Sequence, residues 1–171
     1  MQLTGNGQSV QWTNDTGQPI SFINVRASIP DASSGGGQTA TLDLYVNGAF
    51  RQALDLNSIQ SWQYEGNNNY NGTDQNPADG NPRDFWDEFH AFVSGSAIPA
   101  GATFSLQKDS SNSASFYWIN SIDLWNAPAP AAQPANSISI TSCGATADNT
   151  PNRSPVAAAT TPSGCATAAC A

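Results

Sequence analysis

The stretch TATLDLYVNGAFRQALDL, residues 39–56, leaves the backbone few choices. Leu42, Leu44 and Val46 alternate with Thr41, Asp43 and Tyr45, the period of a strand buried on one face. Asn47-Gly48 follows at once, and a type I′ turn needs positive φ at both its central positions, which these two residues tolerate best. The segment 49–56 then returns as the partner strand. A β-hairpin in mid-chain sets the period to look for elsewhere.

The same signals recur. SVQWT (9–13), ISFINVRAS (20–28), FSLQK (104–108) and FYWINSIDLW (116–125) are short, rich in β-branched and aromatic residues, and mostly bounded by polar or Gly residues. Trp12, Trp118 and Trp125 lie on these strands and read as core. RDFWDEFHAFV (83–93) fits two periods. Phe85, Trp86, Phe89, Phe92 and Val93 would share a helical face, whereas Trp86, Glu88, His90 and Phe92 would share one face of a strand. A strand over 87–93 gives roughly seven short strands with turn signals between them, which predicts an all-β sandwich or jelly roll.

Residues 1–126 form this predicted domain. Alternating Pro and Ala over 127–136 favour extended polyproline geometry and predict a linker. Beyond it, SISIT (137–141) offers one more strand. The rest, to residue 171, is nearly all Ala, Thr, Ser and Pro and has no apolar face to pack, so it reads as a disordered tail. Cys143, Cys165 and Cys170 all fall there, in a spacing that matches no zinc motif.

Only 11% of residues are charged and the net charge is −8, with Arg26, Arg51, Arg83, Lys108 and Arg153 scattered singly. Nucleic acid and anionic membrane surfaces both require clustered cations, so both are disfavoured as partners. No apolar run reaches the roughly 18 residues of a membrane span. The start, MQLTGNGQSVQW, lacks the basic and apolar regions of a signal peptide. Neutral hydrogen-bonding surface suits neutral ligands.

The most unusual segment is WQYEGNNNYNGTDQNPADGNPRDFWDEFH, residues 62–90. Structureless loops longer than about 12–15 residues are uncommon in compact domains and are usually functional or disordered. Trp62, Tyr64, Tyr70 and Trp86 argue against plain disorder. A sugar ring has an apolar face that stacks on an indole or phenol, while Asn and Asp groups, Asn81 among them, take its hydroxyls. The rival reading is a loop pinned to the sheet by its own aromatics.

Catalysis finds little support in the residues. Six of the thirteen carboxylates lie between Glu65 and Glu88. A glycosidase needs two of them facing each other across about 5–10 Å, whereas adjacent Asp87 and Glu88 would point to opposite faces of a strand. The run 74–81 departs from an EF-hand loop by one inserted residue and by Pro77, so Asx turns are expected there instead. His90, the single histidine, reads as structural, beside Glu88 or Trp86.

Several strings together resemble the carbohydrate-binding modules of the family six and thirty-five superfamily. They are GQSVQWTN (7–14), INVRASIPD (23–31), ATLDLYVNG (40–48), SWQYEG (61–66), NPADGNPRDFWDE (76–88) and INSIDLW (119–125). The nearest likeness is to the variant at the N-terminus of mycodextranases and other α-1,3-glucanases. The resemblance implies a galactose-binding-like β-jelly roll over about residues 3–126, with Trp62 and Tyr64 where the group often carries a binding aromatic. Ser121 stands where many members have a sugar-bonding Asn. Asp123 matches a last-strand ligand of the group's structural calcium, whose other ligands sit on a first strand that this chain would lack. SISITSCGATADNT (137–150) is similar to the leader of pectate-lyase-like β-helix glycanases.

The combined expectation is a non-catalytic module binding polysaccharide or oligosaccharide, a glucan above all, through Trp62, Tyr64, Tyr70, Trp86, Asn81 and Ser121. In the intact parent it would stand before a C-terminal β-helix catalytic domain and act outside the cell. A structural brace without sugar binding and a free-standing extracellular lectin or adhesin are the alternatives.

Overall fold

The computed structural model describes residues 1–65, 73–128, 131–132 and 134–138. The chain divides into a unit over Met1–Pro128 and another over Ala129–Ala171. Ser137 and Ile138 lie in no strand. The remainder of the predicted β-helix leader, the three cysteines and Tyr70 lie outside the described residues.

The first unit is all β. Its strands are β1 (Gln2–Leu3), β2 (Ser9–Thr13), β3 (Phe22–Ser28), β4 (Thr39–Val46), β5 (Ala49–Asn57), β6 (Trp62–Glu65), β7 (Thr73–Asp74), β8 (Pro82–Asp84), β9 (Asp87–Phe92), β10 (Thr103–Gln107) and β11 (Tyr117–Trp125). They build two four-stranded antiparallel sheets, in the orders β1-β11-β3-β9 and β2-β10-β4-β5, and a three-stranded sheet, β7-β6-β8. The ambiguous segment is a strand over Asp87–Phe92, as predicted.

One core lies between the two large sheets. Ile23, Val25 and Ala27 from β3 and Tyr117 and Ile119 from β11 meet Leu42 and Leu44 from β4 and Phe104 and Leu106 from β10. The hairpin has the foreseen geometry: φ is 49° at Asn47 and 77° at Gly48. Asn47 also accepts the Thr103 amide on its side-chain oxygen at 3.0 Å, which ties the turn to β10. Asp43, on the outward side of β4, is nevertheless buried, because the Asn112 amide donates to it at 3.0 Å from an overlying loop.

Two tryptophans depart from expectation. Trp12 packs against the core and stacks on Phe104 at 5.7 Å. Trp118 and Trp125, read as core, instead stand on the outward face of β11 and belong to no core cluster. The register of β11 against β3 shifts between Ile119 and Ser121. A bulge of this kind resets the alternation, so residues seven apart share a face that simple alternation would separate.

Candidate functional site

The start of the polar segment is held by two of its aromatics. The Trp62 indole donates to the Ile29 carbonyl at 2.8 Å, and the Tyr64 hydroxyl donates to Asp31 at 3.0 Å. The other oxygen of Asp31 accepts the Ala32 and Gly37 amides at 2.8 and 2.7 Å. The 30–38 loop is closed further by Ser58, whose hydroxyl donates to the Pro30 carbonyl at 2.8 Å. Tyr64 is only 8% exposed. Burial first, then the Asp31 hydrogen bond, push its phenol up to about 12. Tyr64 as a sugar-stacking ring is therefore corrected: its faces are covered and its hydroxyl is committed.

Close backbone approach supports the same clamp. A Cβ on Gly37 would lie 2.3 Å from the Ile59 Cα, and one on Gly35 would lie 1.9 Å from the Gln75 carbonyl oxygen. The 74–81 run forms the expected Asx turn: the Asn76 side chain accepts the Ala78 amide at 3.1 Å, beside a short 3-10 turn over Pro77–Asp79. Asn81, at φ 48°, is exposed, and its amide reaches the Glu65 carbonyl at 3.5 Å.

Trp62 and Trp86 do converge, on a ring the sequence reading placed elsewhere. Trp118 lies 6.2 Å from Trp62, 6.3 Å from Trp86 and 4.6 Å from Phe116, all between centroids. All four rings are half-buried. Asp84 pairs in register with Trp62 on β6, and Ser28 pairs with Trp118 on β11. Between them, the Ser28 hydroxyl donates to Asp84 at 2.6 Å. Burial raises the Asp84 carboxyl above its ordinary value, and the Ser28 hydrogen bond partly offsets this.

Ser121 and Asp123 sit further along the outward face of β11. Ser121 is level with Arg26, and Asp123 with Asn24 and His90. Asn24, 3% exposed, donates to Glu88 at 3.0 Å and to Asp123 at 3.4 Å, while its own side-chain oxygen has no partner among the described residues. Among the described residues no group of three or more His, Cys, Asp or Glu could hold a metal ion. The Asp123 calcium site implied by the resemblance thus finds no ligand set here. Ser121 lies beyond the bulge, on the same outward face of β11 as Trp118.

A family model described as the α-1,3-glucanase catalytic domain D1 matches residues 1–127. Among solved structures, the Agl-KA catalytic domain is 33% identical, with a TM-score of 0.73 over 86% of this chain and 25% of that one. The catalytic unit of a thermostable GH87 α-1,3-glucanase from Streptomyces thermodiastaticus strain HF3-3 is 27% identical, with a TM-score of 0.59 over 85% of this chain and 23% of that one. The catalytic domain of a GH87 α-1,3-glucanase in complex with nigerose is 20% identical, with a TM-score of 0.65 over 78% and 23%. No protein with a curated description matches.

The chain spans about a quarter of the length of these solved chains. These findings overturn the reading as a non-catalytic binding module: the matching domain is counted within the catalytic region. The likeness to α-1,3-glucanases stands. With its match extending over residues 1–127, the chain belongs to the α-1,3-glucanase catalytic domain D1 family.

Proposed function

We propose that this chain is the β-sandwich part of a catalytic unit that hydrolyses α-1,3-glucan, and that it acts only together with the remainder of that unit. The observation that carries this reading is the family match over residues 1–127, which coincides closely with the compact unit Met1–Pro128. The ligand of the whole unit is an α-1,3-linked glucan or oligosaccharide, as supported by the nigerose complex of a structural neighbour. A polymeric substrate of this kind is met outside the cell, and the unit acts there.

Three carboxylates around the aromatic loop have structural partners within the domain. Asp31 is occupied by two amides and Tyr64, Asp84 by Ser28, and Glu65 by Arg83. The test is a chimera in which residues 1–127 replace the matched segment of the Agl-KA catalytic domain. Release of reducing sugar from α-1,3-glucan by the chimera, and none by the isolated chain, is the expected result. A folded but inert chimera, or hydrolysis by the isolated chain, would refute the reading.

A further inference from the structure

At the end of the β1-β11-β3-β9 sheet opposite the Trp118 cluster, three rings stand in one cross-strand row. Trp125 pairs in register with Phe22, and Phe22 with Phe92. The centroids of Trp125 and Phe22 are 5.4 Å apart, and those of Phe22 and Phe92 are 5.0 Å apart. Phe92 is 60% exposed and Trp125 is 48% exposed. Large rings packed side by side on the outward face of a sheet form a contiguous apolar patch rather than scattered surface hydrophobics.

The neighbouring rows are polar. Asp123, Asn24 and His90 make the next, and Ser121, Arg26 and Glu88 the one after. An apolar centre beside a charged rim is the anatomy of a protein interface.

The occupant is indicated by three observations. Trp125 is the last residue of β11, and the Ser21 amide and hydroxyl, bonded to the Trp125 and Ala127 carbonyls at 3.0 and 3.1 Å, fix the path of the chain as it leaves. The patch therefore lies where the chain runs out of D1. The related catalytic chains are about four times longer than the portion matched, so a large surface is available to cover it. Finally, Phe22 meets Phe92 edge-on, at 74° between planes. A stacked sugar needs ring faces presented flat, whereas edge-on aromatic pairs suit interdigitated side chains.

We infer that the Phe22–Phe92–Trp125 row is the surface by which D1 docks onto the remainder of its own catalytic unit, an inference that rests on the proposed function. The apolar rings form the centre of that contact, and Arg26, Glu88, His90 and Asp123 form its rim.

The test uses the same Agl-KA chimera and the 171-residue chain, each with and without Phe92→Ser and Trp125→Ser together. The substituted chimera is expected to melt at least 5 °C below its parent, while the substituted chain melts within 2 °C of its own. Phe50→Ser, at an exposed ring on the other large sheet, is expected to leave both unchanged. Equal melting of the two chimeras would overturn the inference, even in a chimera that hydrolyses glucan. So would a comparable loss in the isolated chain, which would make the rings part of D1's own stability. Retention of the isolated chain on insoluble α-1,3-glucan that disappears with the substitutions would reassign the row to sugar. A chimera that does not fold as one unit also counts against it. A chimera that folds, loses stability on substitution and is inert sinks the functional reading and leaves the interface standing.

Discussion

The Tyr64 hydroxyl donates to the Asp31 carboxylate at 3.0 Å, joining a strand of the small sheet to a loop thirty-three residues earlier in the chain. That bond exists only while the phenol keeps its proton. Burial and Asp31 raise Tyr64 from 10.0 to about 12, so the fold favours the protonated form. The resulting stabilisation is complete below pH 10 and is lost as pH climbs toward 12. Denaturant midpoints measured across that window should fall steeply in the parent and less steeply in Tyr64→Phe. Tyr45 and Tyr117 are raised in the same direction, so the slope should shrink without vanishing. At neutral pH the substitution should cost about 1 kcal/mol, one hydrogen bond. Identical slopes would separate Tyr64 from the alkaline transition.

Trp62 is a clamp rather than a free ring. Trp62→Ala removes a half-buried indole and its bond to Ile29, and should destabilise the domain by about 2 kcal/mol. Trp62→Phe keeps most of the packing and should cost about half as much. Thermal melts of the two variants check this, and an unchanged melt for Trp62→Ala would show the indole to be dispensable.

The 30–38 loop has two neighbouring glycines with nearly the same φ and different surroundings. Gly36, at φ 81°, would meet nothing within 4 Å if given a Cβ, whereas Gly37, at φ 82°, would meet the Ile59 backbone at 2.3 Å. Gly36→Ala should therefore cost only the strain of a left-handed residue, about 1 kcal/mol. Gly37→Ala should cost at least about 2 kcal/mol more, because backbone must move. Equal urea midpoints for the two variants would mean that the loop yields freely.

Asp84 has its carboxyl raised by burial, with Ser28 opposing that shift. A carboxyl raised in the fold contributes stability below its unfolded value and loses it as pH rises through the folded one. Ser28→Ala removes the opposing hydrogen bond and raises Asp84 further. The variant should be about 1 kcal/mol less stable than the parent at pH 7, with the deficit shrinking on acidification toward pH 4. A deficit that grows on acidification would contradict the assignment.

The hairpin was legible because it shows one period and carries a turn signal, whereas the strand at Asp87–Phe92 fits two periods and was reached through the strand count of the whole domain. The small sheet was not legible. Its strands run for two to four residues, one of them starts at Pro82, and their pairing depends on contacts with the 30–38 loop that no local pattern announces. Trp118 and Trp125 were read as core because they lie on strands; membership of a strand does not tell which face a side chain takes, and the bulge after Ile119 turns both outward. Of the foreseen sugar contacts, Trp62 and Trp86 each pack beside Trp118, but Tyr64 is turned inward by an acceptor thirty-three residues away. The functional misreading has another source. A sandwich that binds sugar by itself and one integral to an enzyme share the same alternation and the same turns, so fold-level signals do not separate them.

Sheet order also dictates when this domain can form during synthesis. In the two large sheets only β4 and β5 join neighbours in sequence; β1 waits for β11, β2 for β10, and β3 for β9 and β11. Pairings between distant segments are slow, because the intervening loop must close before any contact forms. A nascent chain emerging from the ribosome therefore holds the Asn47-Gly48 hairpin as its one early seed within those sheets, while its first three strands remain unpaired. One sheet can close once Gln107 is out of the exit tunnel, and the other must wait for Trp125.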